Sequence, residues 1–126
     1  MPRNVILLWD EEPISEKALI NILEKSGFEV LTAKKERQCF QYLSNRRIDL
    51  VLLNINRSDL EGLMLIKRIK SRSKHKHTPV ISIMDINNMI AQPMNISWGC
   101  DEYLTKPIDK NLLLERMEFL LDKYFY

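Results

Sequence analysis

Glycine, cysteine and long apolar runs are all scarce in this 126-residue chain. The three glycines are set in neither GxGxxG nor GxxxxGK[ST], which excludes dinucleotide and P-loop chemistry. Two cysteines, Cys39 and Cys100, lie far apart without CxxC spacing, and no secretory apolar region opens the chain. They read as reduced, buried, small apolar residues. No stretch approaches the roughly 20 apolar residues that span a bilayer, since Arg3, Asp10, Glu11 and Glu12 interrupt the first one. Excess positive charge is missing too: 19 Lys and Arg stand against 17 Asp and Glu, too even for a dedicated nucleic-acid binder. What remains is a cytoplasmic protein without membrane contact. At 45% hydrophobic residues it has core enough for one domain over 1–126 and little material for a second.

The pattern that is present alternates strands and helices. VILLW at 5–9 is continuous and apolar, as in a strand covered on both faces, and Pro13 suits the first turn of a helix. Ile14, Ala18, Leu19, Ile22 and Leu23 then recur at helical spacing until Gly27. A strand at 28–33 precedes a helix with Cys39, Phe40 and Leu43 inside, and LVLLNI at 50–55 is the strongest buried-strand signal. A polar loop at 56–62 leads to a helix facing inward with Leu63, Ile66 and Ile69. PVISIM at 79–84 is a fourth strand and DEYLT at 101–105 a fifth. Between them, 86–98 is a poor helix, kinked or shortened by Pro93 among several asparagines, with weak protection from hydrogen exchange expected over 87–95. A last helix at 109–123, capped by Asp109, carries Leu112, Leu113, Met117, Leu120 and Leu121. Such an alternation predicts an α/β fold, a doubly wound parallel sheet whose site lies at the carboxyl ends of its strands.

Those ends deliver Asp10 and Glu11, Asn54, Met84 and Lys106. Clustered carboxylates there suit a hard cation such as Mg²⁺, and they equally suit the N-terminal dipole of the Pro13 helix. Lys106 is as compatible with a surface ion pair as with a functional cation. Met84 could be core filler, and Tyr103 an ordinary strand aromatic.

WDEEP at 9–13, IDLVLLNINRSDLEG at 48–62 and GCDEYLTKPID at 99–109 together resemble, over the whole chain, the receiver domain of two-component response regulators. The resemblance implies a CheY-like, flavodoxin-like (βα)5 fold with five parallel strands in the order 2-1-3-4-5. It also implies an acidic metal-binding pair at Asp10 and Glu11, with Asn54 and the Asn56 backbone completing the metal sphere. Asn54 occupies the phosphoacceptor place, Met84 that of the switch hydroxyl, Asp85 that of a small residue, Lys106 that of the phosphate-contacting lysine and Tyr103 that of the switch aromatic. A neutral amide lacks the nucleophilicity to form an acyl phosphate, and a thioether donates no hydrogen bond to a phosphoryl oxygen. The expectation is therefore a pseudo-receiver, not an enzyme. It needs no cofactor, its Mg²⁺ site is weak or vacant, and it signals by protein contact. Two alternatives stay open: a phosphoacceptor with an engineered Asn54 or a substitute acceptor at Asp10, Asp59 or Asp85, and the regulatory domain of a transcription factor whose DNA-binding domain lies beyond Tyr126.

Two surfaces complete the reading. KRIKSRSKHKH at 67–77 is the densest charge run, at the end of the sheet away from Asn54. It reads mainly as a solvated helix end, with contact to nucleic acid or an acidic partner as the alternative. His75 and His77 are weak metal candidates there. The resemblance makes 86–98, 101–105 and 109–123 the face for a protein partner or homodimer, with Trp98 either an exposed anchor or buried, and nucleic acid disfavoured for this domain alone.

Overall fold

In the computed structural model, residues 3–10, 13–55, 61–85 and 99–124 are described. Each apolar run becomes a strand because both of its faces are covered, so alternate residues enter different cores. From β1 (Val5–Asp10), Ile6 and Leu8 join one cluster while Leu7 and Trp9 join the other. β2 (Glu29–Ala33), β3 (Leu50–Asn54), β4 (Val80–Asp85) and β5 (Glu102–Lys106) complete a parallel sheet in the order β2-β1-β3-β4-β5. That is the expected strand order.

Helices cover both faces. α1 (Pro13–Lys25) and the last helix, α4 (Lys110–Tyr124), pack on one face through Leu19, Leu23, Leu113, Met117, Leu120 and Leu121. α2 (Glu36–Asn45) and α3 (Glu61–Ser71) pack on the other through Cys39, Leu43, Leu65, Ile66 and Ile69. Each fully buried Leu or Ile contributes about 1.5–3 kcal/mol. Both cysteines are free and buried, as expected, and burial pushes the Cys39 thiol up to about 12. No helix among the described residues is long and apolar enough to cross a membrane. The expected helix over 86–98, with Pro93, lies outside the described residues.

Two inward assignments are corrected. Leu112 is 37% exposed, because the α4 stripe runs through Leu113, Met117, Leu120 and Leu121 and leaves the preceding residue about 100° round the helix. Ala18 is exposed for the same reason beside Leu19. The helix ends follow their local chemistry. Gly27, at φ +93°, closes α1 with its own N–H on the Glu24 carbonyl and the Phe28 N–H on the Leu23 carbonyl, while the Phe28 and Leu23 side chains share one cluster. Asp109 Oδ1 accepts from Asn111 N at 3.0 Å and Leu112 N at 3.1 Å. Asp109→Ala should lower stability by about 1 kcal/mol in urea unfolding, and no change would deny the cap a role.

Candidate functional site at the carboxyl end of the sheet

The parallel register sets Asp10 directly beside Asn54 at the ends of β1 and β3. Both side chains are buried, and Asn54 Nδ2 donates to Asp10 Oδ2 at 2.7 Å. A carboxylate accepts only, so it fixes which end of the amide faces it. On the next strands Asp85 pairs in register with Lys106, and alternation along β4 and β5 places both on the same face of the sheet as Asp10 and Asn54. Asp85 is exposed and Lys106 half-buried. The strand ends thus bring Asp10 and Asn54 into contact and put Asp85 beside Lys106.

Met84 does something else. Its side chain is fully buried in the α2–α3 core with Trp9, Leu53 and Ile55, on the face away from Asn54. Tyr103, half-buried, packs against the same cluster. Glu11, Asn56 and Trp98 lie outside the described residues, as does Asp59.

A divalent cation at this end would need oxygen ligands. Among the described residues no group of three or more His, Cys, Asp or Glu side chains could hold a metal ion. The Asp10 oxygen nearest the amide already accepts its proton. Asp10 is the described carboxylate at the ends of β1 and β3, with Asn54 held to it, and an Mg²⁺ shell takes one or two carboxylates.

Trp9, immediately before Asp10, carried no separate expectation, yet it roofs this end of the α2–α3 core. A Cβ on Gly62 would come within 3.2 Å of its ring, and its indole N–H is buried without a hydrogen-bond partner among the described residues. Its adjacency to the acids was the available signal.

The charge run at 67–77 sits at the opposite end of the sheet, where expected, but it is not simply solvated. Lys70 Nζ binds Asp101 Oδ2 at 2.8 Å and the Thr78 carbonyl at 2.7 Å, Arg68 pairs with Glu36, and the Arg72 guanidinium lies 3.9 Å from the centre of the Phe40 ring. His75, in a single 3₁₀ turn (Ser73–His75), is buried, with Nδ1 3.4 Å from Thr78 Oγ1 and a hydrogen bond to the Leu43 backbone. Burial first, then the Lys74 charge, hold its pKa below the ordinary 6.5. The unfolded chain therefore takes up this proton before the folded one. Stability should be flat in this respect above pH 6.5 and fall as acidification proceeds from there towards the lower folded value. Urea unfolding across that window checks it: His75→Gln should flatten the slope, and an unchanged slope would remove His75 as its source.

Along β5 and α4, Glu102, Tyr103, Thr105, Leu112 and Arg116 border a groove of about 480 Å³, the described part of the expected partner face.

Comparison with known proteins agrees with this geometry. Residues 6–118 match the response regulator receiver domain model. The chain is 28% identical over 121 residues to the TorCAD operon transcriptional regulatory protein TorR of Escherichia coli (strain K12), covering 96% of this chain and 51% of TorR. It thus spans about half the length of that relative. It is 26% identical over 121 residues to the polar-differentiation response regulator DivK of Brucella anthropi, covering 96% of this chain and 98% of DivK. A response regulator structure from Thermotoga maritima superposes with a TM-score of 0.82 at 30% identity, covering 96% of this chain and 99% of that one. A parallel sheet in the order β2-β1-β3-β4-β5, motifs at three strand ends and a family match over most of the sequence lead to one conclusion: this chain belongs to the response regulator receiver domains.

Proposed function

We propose that this receiver domain signals by protein contact from one fixed arrangement, without phosphorylation at the end of β3. The observation that carries the reading is the buried Asn54 Nδ2–Asp10 Oδ2 hydrogen bond. An amide stands where the family places its nucleophilic carboxylate, and it holds the neighbouring acid through a proton. Acyl phosphate formation needs a carboxylate oxygen to attack phosphorus. Asn54 offers none. Met84, buried in the opposite core, offers no hydroxyl to a phosphoryl group. Mg²⁺ binding is weak and no cofactor is required. The partner is a protein, in the cytoplasm, engaged through β5, α4 and residues 86–98.

Incubation with acetyl phosphate and Mg²⁺, followed by intact mass, tests the reading. The expected spectrum is unshifted. Gain of one hydroxylamine-labile phosphoryl group would overturn it, and mapping that group to Asp10, Asp59 or Asp85 would establish a substitute acceptor. The match to TorR, of which the chain spans half, favours a second reading, a regulatory domain within a longer transcriptional regulator. An open reading frame continuing past Tyr126 into a DNA-binding domain would support it, and a stop codon there would end it.

A further inference from the structure

We infer that the amino-terminal end of the sheet is a docking surface for an acidic segment of a partner protein. This surface lies at the far end of the molecule from Asn54 and does not depend on how that site works. Arg3, Arg46, Arg47, Arg72, Lys74 and Lys76 are all exposed there. Backbone pairing gathers them from distant parts of the sequence: Asp49 N donates to the Val5 carbonyl at 2.9 Å, and Glu29 N to the Asn4 carbonyl at 3.0 Å. Arg47 Nη2 reaches the Arg3 carbonyl at 2.8 Å, and Lys74 Nζ reaches the carbonyl of Ser44, two residues before Arg46, at 3.3 Å. The cations therefore follow one arc from the start of β1, past the end of α2, to the turn before β4. In a chain of net charge +2, this end carries a concentrated positive field.

Two features favour a protein segment over nucleic acid. Arg46 is held by Glu29 and Arg47 by Asp49, and with Arg3 they line a concavity of about 370 Å³. Glu29 is 35% exposed, so a phosphodiester backbone, negative at every step, would cross it at a cost. A peptide can space its carboxylates to meet the guanidiniums and pass the glutamate. The two arginines are also held in place before binding, and a guanidinium bonded at one nitrogen keeps N–H donors for a second carboxylate. Of the aromatic rings near the arc, Phe40 is covered by the Arg72 guanidinium and Tyr42, beside Arg46, packs partly into the α2–α3 core, so the two present no row of free stacking surfaces for successive bases.

Fluorescence anisotropy with the full chain, a fluorescein-labelled oligoglutamate peptide and oligouridine RNA, at about 0.15 M salt, tests the inference. The peptide should bind, more tightly than the RNA. Binding should weaken at least about 10-fold in the double variant Lys74→Glu, Lys76→Glu, and change less than about 2-fold in Lys17→Glu, Lys110→Glu, which alters net charge equally at other exposed sites. Arg3→Glu is a second probe, because Arg3 holds Arg47 through its main-chain oxygen and the side chain can change without releasing it. It too should weaken binding several-fold. Absence of peptide binding, equal loss in both double variants, or tighter binding of the RNA would each overturn the inference.

Discussion

Asn54→Asp is expected to unfold about 3 kcal/mol more easily than the parent in metal-free buffer at neutral pH. The substitution exchanges the donor that serves Asp10 Oδ2 for an acceptor, and sets two carboxylates side by side in a place where both parent side chains are almost fully buried. Neither side chain can then satisfy the other. Acidification, which protonates one of two adjacent carboxylates, should shrink the deficit. Mg²⁺ should do the same by binding the folded state alone, whereas the parent gains little from it. Urea unfolding of both proteins with and without Mg²⁺ is the measurement. Equal stabilisation of the two by the ion would remove Asn54 from the metal sphere. On the proposed reading, the substitution still leaves a thioether rather than a hydroxyl at Met84. A variant that accepts phosphate should still lack a full conformational response, because the Met84 side chain is committed to the opposite core.

The proximity of Asp10 and Asn54 was legible in the sequence because each ends a continuous apolar run. In a doubly wound sheet, the carboxyl ends of such runs from the first and third strands lie side by side. The same reasoning placed Met84 and Lys106 at this end, while Asp85 entered through the family resemblance. The hydrogen bond between Asn54 and Asp10 was not legible, since it depends on the register of neighbouring strands to a single residue. Helix phase failed for a related reason. Leu112 and Leu113 are equally apolar, and it is the phase shared with Met117, Leu120 and Leu121 that buries Leu113 and leaves Leu112 at the margin of the stripe. Met84 could be read as switch-position residue or as core filler. Its side chain is fully buried on the α2–α3 face, as core filler would be.

The charge run at 67–77 misled most, and its correction carries the other large expected effect. Spacing marks Lys70 as one more solvated cation, yet it is 13% exposed and its partner Asp101 15%. Asp101 Oδ2 accepts from Lys70 Nζ and, at 2.8 Å, from the Val80 main-chain N–H, while Asp101 N donates to the Val80 carbonyl. One carboxylate thus ties the end of α3 to the start of β4 and the approach to β5. Nothing local in the sequence announces a contact across 31 residues. Asp101→Ala strips the acceptor from a main-chain N–H and from a largely buried ammonium at once, and should cost about 3–5 kcal/mol in urea unfolding. Lys70→Met should cost less, because its apolar stem still packs against Gly99 and Asp101 keeps the Val80 N–H. The combination of Lys70→Met with Asp101→Ala should fall well short of the sum of the two single losses, since each mutation removes the same ion pair. Additive losses would mean that Lys70 and Asp101 stabilise the fold independently and that α3 is anchored by its apolar face alone.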